Sequence, residues 1–138
     1  MDRYIGYYRA MLKAGLDIKN EWLIEDWDEE REKIELQLPE DMPTAFVCNS
    51  DVTAFELVKK LQKDKLRVPE DVSVVAFDNF IFAEMSSPKI TTYGVDTDAL
   101  VRMVIRVILN KLAEPDYSVG RVLVAGTLIE RKSVMELL

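Results

Sequence analysis

Two short polar clusters close apolar runs in this sequence, and both have the chemistry of a small-molecule site. One is Cys48-Asn49-Ser50-Asp51, at the end of the run TAFVC; the other is Phe77-Asp78-Asn79, at the end of the run at 72–77. Asp78 is the leading candidate. A carboxylate at the end of an apolar strand is costly to bury without partners. Hydroxyl donors of a sugar satisfy it, each hydrogen bond to a charged group contributing about 1.5–3 kcal/mol. The other role open to Asp78 is to cap the following turn. Asn49, Ser50 and Asp51 add donors and acceptors, and Ser50 and Asp51 can also accept from the first free N–H groups of a helix. Cys48 reads as a small buried residue. Trp22 and Trp27 offer aromatic faces on which the apolar face of a sugar ring can stack, or they pack in the core or on the surface. Phe80 and Phe82, directly after the second cluster, either wall a pocket or pack under a loop.

The elements that must position these residues follow from periodicity. The run at 44–48 is short and nearly continuous, as for a strand buried on both faces. Ala54, Leu57, Val58 and Leu61 then recur at helical spacing, Val68-Pro69 ends the connection, and 72–77 forms a second strand. A crossover of about 30 residues is what two parallel strands require. In open parallel sheets ligands bind beyond the carboxyl ends of the strands, where both polar clusters fall. Upstream, residues 2–14 read as a helix with Ile5, Tyr8, Met11 and Leu12 on one side and Gly15 as its stop. Residues 16–26 are a connection. The strict alternation at 34–38 predicts a strand, and Pro39 and Pro43 bracket a turn. Residues 78–88 read as a loop or short helical turn, and 90–95 as a third strand. Asp96, Thr97 and Asp98 are capping residues for a helix over 98–112, whose apolar side carries Leu100, Val101, Val104, Ile105, Ile108 and Leu112. Glu114-Pro115-Asp116 breaks it. Short strands are expected at 121–124 and 127–130, around the turn residues Ala125-Gly126.

Composition removes several function classes. The 138 residues fit one domain, and 49% hydrophobic with 31% charged residues is the balance of a soluble globular protein. No run approaches the roughly 18–20 apolar residues that span a bilayer, and the opening MDRYIGYY is not a secretory signal. With one cysteine and no histidine, neither an internal disulfide, nor a zinc site, nor a histidine-based triad is expected. No cofactor or metal is implied. The net charge of −7 argues against this chain being itself a nucleic-acid surface. The alternating charges at 26–33 read as a solvated face.

Several linked segments resemble the effector-binding domain of LacI/GalR transcriptional regulators. PTAFVCNSDVTA, LRVPEDVSVVAFDN, SPKITT and TLIERKSV stand in that family's order and spacing, and Arg3-Tyr4-Ile5-Gly6-Tyr7 is similar to its R-x-x-G-[FYW] helix. The resemblance covers nearly the whole chain. It implies an α/β fold, a parallel-sheet, Rossmann-like sandwich of the type I periplasmic-binding-protein kind, mainly its C-terminal subdomain. Residues 1–89 would belong to that subdomain, 90–118 would supply a crossover strand and helix of the N-terminal subdomain, and 119–138 would return. The family's helix-turn-helix, most of its N-terminal subdomain and the strand before the R-x-x-G helix are not in this chain, which fits either a piece of a longer regulator or a naturally short protein.

The resemblance also implies roles. Asp78 stands at a ligand-binding aspartate. Arg3 matches an arginine that reaches the effector, and a guanidinium's five donors suit vicinal hydroxyls or a carboxylate. Ser50 stands where many relatives have a ligand-binding asparagine, a departure that shortens the reach. Asn49 is one place earlier, and Asp51 aligns with a common aspartate whose other role is helix capping. Trp27 lies near a frequent tryptophan, and relatives have a longer segment with a helix where 34–38 alternates. The implied protein is a cytoplasmic repressor that senses a sugar or similar polar molecule. It performs no chemistry, contacts operator DNA only through a domain outside this chain, makes no membrane contact and forms a homodimer. Self-association through the 98–112 helix, including by its exchange between chains, is expected because the resemblance leaves that apolar stripe without its natural cover. Two other classes remain. A periplasmic sugar-binding protein shares the architecture and would carry a secretory signal. A small α/β enzyme would need a catalytic motif, yet there is no Gly-rich phosphate loop and no Gly-x-Ser-x-Gly turn.

Overall fold

Ala45–Val47 (β1 of the main sheet), Asp51–Lys63 (α2) and Ser73–Asp78 (β2) form the strand–helix–strand unit that the pattern requires, and the two strands pair in parallel with Val47 beside Val75. The structure, a computed structural model, describes residues 2–29 and 32–136, the side chains of Asp2 and Asp28 excepted. Thr91–Val95 (β3) adds a third parallel strand beside β2, and Gly126–Ile129 (β4) closes the sheet antiparallel to β3. The order β1-β2-β3-β4 is thus parallel-dominated with one reversed edge. Gly126 is required at that edge: an added Cβ would lie 2.4 Å from the Tyr93 ring and 2.5 Å from the Gly94 carbonyl oxygen.

The core lies on one face. Ala54, Leu57, Val58 and Leu61 of α2 pack on Phe46, Cys48, Val74 and Ala76, joined by Val68, Val72, Ala83 and Ile90. Ala83 belongs to Ile81–Met85 (α3), the short helical turn within 78–88. The reading of β1 as buried on both faces is corrected: Phe46 is buried, but Ala45 and Val47 are exposed, because α2 covers one side only and β1 forms a sheet edge.

Asp2–Lys13 (α1) ends where expected. Gly15 takes φ +69°, and the Leu16 N–H reaches back to the Met11 carbonyl. The connection after it holds a 3-10 turn at Asn20–Trp22. The strand at 34–38 is corrected to a two-residue pairing, in which Lys33–Ile34 runs antiparallel to Trp27–Asp28. Leu36 and Leu38 still turn toward the core as half-buried residues. The alternation marks extended chain laid on the core, without a neighbouring strand to complete a ladder. The strand at 121–124 is also corrected. Among the described residues 121–124 form no strand, and the free edge of β3 is taken by Gly126–Ile129. Thr97–Ala113 (α4) begins at Asp96, whose carboxylate accepts from the Ala99 N–H at 2.8 Å. It has no buried residue. No helix among the described residues is long and apolar enough to cross a membrane.

Candidate functional site

Parallel pairing brings the carboxyl ends of β1 and β2 side by side, and Arg3 bridges them. Its Nη1 donates to the Asn49 carbonyl oxygen, and its Nη2 donates to Asp78 Oδ1 at 2.5 Å. The guanidinium carbon lies 5.0 Å from the centroid of Phe77, a cation–π contact with the last apolar residue of β2. None of the described side chains of α1 is buried, and Arg3 is a polar tie from that helix to the strand ends. Arg3 is half-exposed, and the ion pair itself therefore contributes at most about 1 kcal/mol.

Asp78 and Asn79 both have positive φ, +103° and +58°. Non-glycine residues held there cost of order 1–3 kcal/mol each and persist only where neighbours over-determine them. Here the next amide, Phe80 N–H, donates to Asp51 Oδ2 at 2.6 Å, and Arg131 Nη2 donates to Asn79 Oδ1 at 2.8 Å. Arg131 is held in turn by Glu84 Oε1 and the Ile90 carbonyl. The strained turn is thus clamped from both sides, which fixes the direction of the Asp78 carboxylate.

Below Arg3 opens a cleft of about 940 Å³ lined by Arg3, Tyr4, Asp26, Trp27, Ile34, Asn49, Ser50 and Thr53. The Thr53 hydroxyl donates to Asp26 Oδ2 at 2.7 Å, with Asn49 Oδ1 3.1 Å away. Ser50 is the N-cap of α2 and accepts from the Thr53 N–H at 3.3 Å. The strand stops at Val47, so Asn49 and Ser50 are not forced to opposite faces, and both line the cleft.

The structure therefore brings together Arg3, Asn49, Ser50 and Trp27 around the cleft, with Asp78 attached through Arg3. Asp51 is elsewhere. It is fully buried, and its oxygens accept from Phe80 N–H and from Thr92 Oγ1 at 2.6 Å. It does not cap α2 either, because Ser50 does. Phe80 is exposed and does not line the cleft, and Phe82 packs on Phe55 with ring centroids 5.7 Å apart. Trp22 donates from Nε1 to the Asp41 carbonyl and lies under Lys19, anchoring the connection. Tyr4, Asp26, Ile34 and Thr53 were not singled out from the sequence. Asp26 and Thr53 are joined across 27 residues, a pairing that no local spacing reveals. Burial, with the nearby charges of Asp26 and Asp51 added, pushes the Cys48 thiol up to about 12, so it is protonated and inert.

A parallel-dominated sheet with a polar cleft beyond its strand ends defines an α/β domain of the periplasmic-binding-protein class. The chain belongs to the periplasmic binding protein-like domain family, whose match covers residues 1–134, and within it resembles the effector-binding domains of LacI-type transcriptional regulators. Among curated proteins it is 32% identical over 143 residues to the HTH-type transcriptional repressor PurR of Haemophilus influenzae (strain PittEE), covering 99% of this chain and 43% of that protein. The PurR of Pectobacterium atrosepticum is 28% identical over 138 residues, covering 97% of this chain and 40% of the relative. Among solved structures, the transcriptional regulator CelR–cellobiose complex superposes with a TM-score of 0.78 at 25% identity, over 95% of this chain and 41% of that one. A LacI-type transcription regulator from Bifidobacterium animalis subsp. lactis gives 0.63 at 31% identity, over 68% and 34%. The chain spans less than half the length of the curated relatives it matches.

Proposed function

We propose that this chain is the effector-sensing portion of a cytoplasmic, homodimeric LacI/GalR-type repressor, and that its cleft takes a sugar or similar polyhydroxylated molecule without transforming it. The observation that carries this reading is the Arg3–Asp78 bridge across the ends of two parallel strands, above a cleft with both polar and aromatic walls. Arg3 and Asp78 present a donor and an acceptor to vicinal hydroxyls, Asn49 and Ser50 add shorter polar groups, and Trp27 offers a stacking face. Asp51 and Phe80 act behind the site, holding the turn that aims Asp78. Operator DNA is contacted by a part of the protein outside this chain. The helix Thr97–Ala113, which buries no residue within this chain, packs on a second subdomain that completes the cleft. A ligand that prefers one closure state then shifts the equilibrium between DNA-competent and incompetent forms.

Fluorescence anisotropy on the full-length protein with DNA from its own promoter tests this. Binding of a sugar is expected to change DNA affinity by about 5–150-fold. A protein that binds no DNA, or whose DNA affinity is indifferent to every sugar that occupies the cleft, would overturn the reading.

A further inference from the structure

The charges around the cleft are already balanced in a way that bears on which ligands enter. Arg3 is the sole basic residue among the described residues that line it. Both terminal nitrogens of Arg3 donate to protein acceptors, the Asn49 carbonyl and the Asp78 carboxylate. Lys33, next to the lining residue Ile34, is paired with Glu35 at 3.1 Å. On the acidic side, Asp26 lines the cleft and, among the described residues, accepts a side-chain hydrogen bond from Thr53 at Oδ2. A carboxylate has about four acceptor sites on its two oxygens, so Asp26 keeps capacity for donors from a ligand.

The N-terminus of α2 also faces the cleft, and such a terminus ordinarily favours anions. Here it is engaged internally. Ser50 Oγ accepts the Thr53 N–H, and the Asp51 carboxylate lies in the first turn, fully buried. A negative charge already in the first turn offsets the helix dipole at that end.

Resting on the proposed sugar-sensing reading and narrowing it, we infer that the cleft selects neutral polyhydroxylated ligands over their phosphorylated or carboxylated counterparts, with Asp26 accepting hydrogen bonds from ligand hydroxyls. An anion entering would meet an arginine already paired with Asp78 and, at Asp26, a carboxylate with no basic partner among the described residues. Like-charge juxtaposition of this kind is the repulsive half of specificity. The same arrangement predicts how the preference can be reversed. Asp78→Asn releases the charge of Arg3, and Asp26→Asn removes the repelling carboxylate while keeping an oxygen to accept from Thr53.

The test is calorimetry on the full-length protein with glucose, ribose, sucrose and cellobiose, each against its terminal monophosphate, for wild type, Asp26→Asn and Asp78→Asn. The neutral member of the pair that binds is expected to bind at least about tenfold more tightly than its phosphate. Each variant is expected to narrow that ratio by loss of affinity for the neutral sugar and gain of affinity for the phosphate. A merely structural role for either residue would lower both affinities together. Equal or tighter binding of a phosphate by wild type overturns the inference and leaves the sugar-sensing reading standing. No binding of any of the eight compounds overturns both. Variants that lose both affinities in proportion remove Asp26 and Asp78 from the selectivity.

Discussion

Asp51 shows how much a single buried carboxylate can organise. It is fully buried, and its two oxygens accept from the Phe80 N–H and the Thr92 hydroxyl, both at 2.6 Å. It thereby joins the start of α2 to the turn after β2 and to the middle of β3. Asp51→Ala would leave the buried Thr92 hydroxyl and the part-buried Phe80 amide without this acceptor. We expect a loss of about 2–3 kcal/mol in urea-induced unfolding, and a variant as stable as wild type would contradict this placement. Cys48 makes a complementary case: with its thiol pushed up to about 12 by burial, it should resist thiol reagents in the folded chain and react only on unfolding. At this scale the sequence pointed to Asp78, Arg3, Asn49, Ser50 and Trp27, because strand ends and family motifs are local. Asp26 was not legible, since its place beside Thr53 depends on how the 16–42 segment folds back onto α2. The burial of Asp51 was not legible, because its partners, the Phe80 N–H and the Thr92 hydroxyl, lie 29 and 41 residues away.

Among the elements, the closing segment acts as a buckle on the sheet. Ser133 is buried; its hydroxyl donates to the Val74 carbonyl at 2.6 Å and accepts from the Thr91 N–H at 2.8 Å, while Val74 N–H donates to the Ser133 carbonyl. Ser133→Ala leaves two buried backbone groups short of a partner and should cost about 1–3 kcal/mol in a denaturant titration. Two residues earlier, Arg131 ties Glu84 of α3 to Asn79. Lys89 first, and Arg131 second, hold the Glu84 carboxyl below its ordinary 4.5. A depressed carboxylate contributes stability that is present above its unfolded value and is lost as pH falls through the folded one. Stability should therefore decline below about pH 4.5, and Glu84→Gln should flatten that part of the profile; an unchanged profile would exclude Glu84 from the acid response. The strand–helix–strand unit, α1 and α4 were legible because their periods are long and capped. The pairings of 27–28 with 33–34 and of β3 with β4 were not, since alternation at 34–38 and short apolar runs near 121–130 report extended chain but cannot name a partner edge.

At the scale of the whole molecule, the exposed apolar surface is the dominant feature. Leu100, Val101, Val104, Ile105, Ile108 and Leu112 of α4 are 43–76% exposed, and fully covering such a side chain contributes about 1.5–3 kcal/mol. We expect the isolated chain to self-associate at micromolar concentration in sedimentation velocity, and Val104→Lys with Ile108→Lys to return it to monomer; a clean wild-type monomer would contradict this. The most direct test of the ligand-sensing account is calorimetric titration of the full-length wild type and Asp78→Ala with the neutral sugar that binds it. Loss of the charged acceptor at the end of β2 should weaken binding by about 10–100-fold while the variant stays folded; undiminished affinity in a folded Asp78→Ala protein would contradict the account.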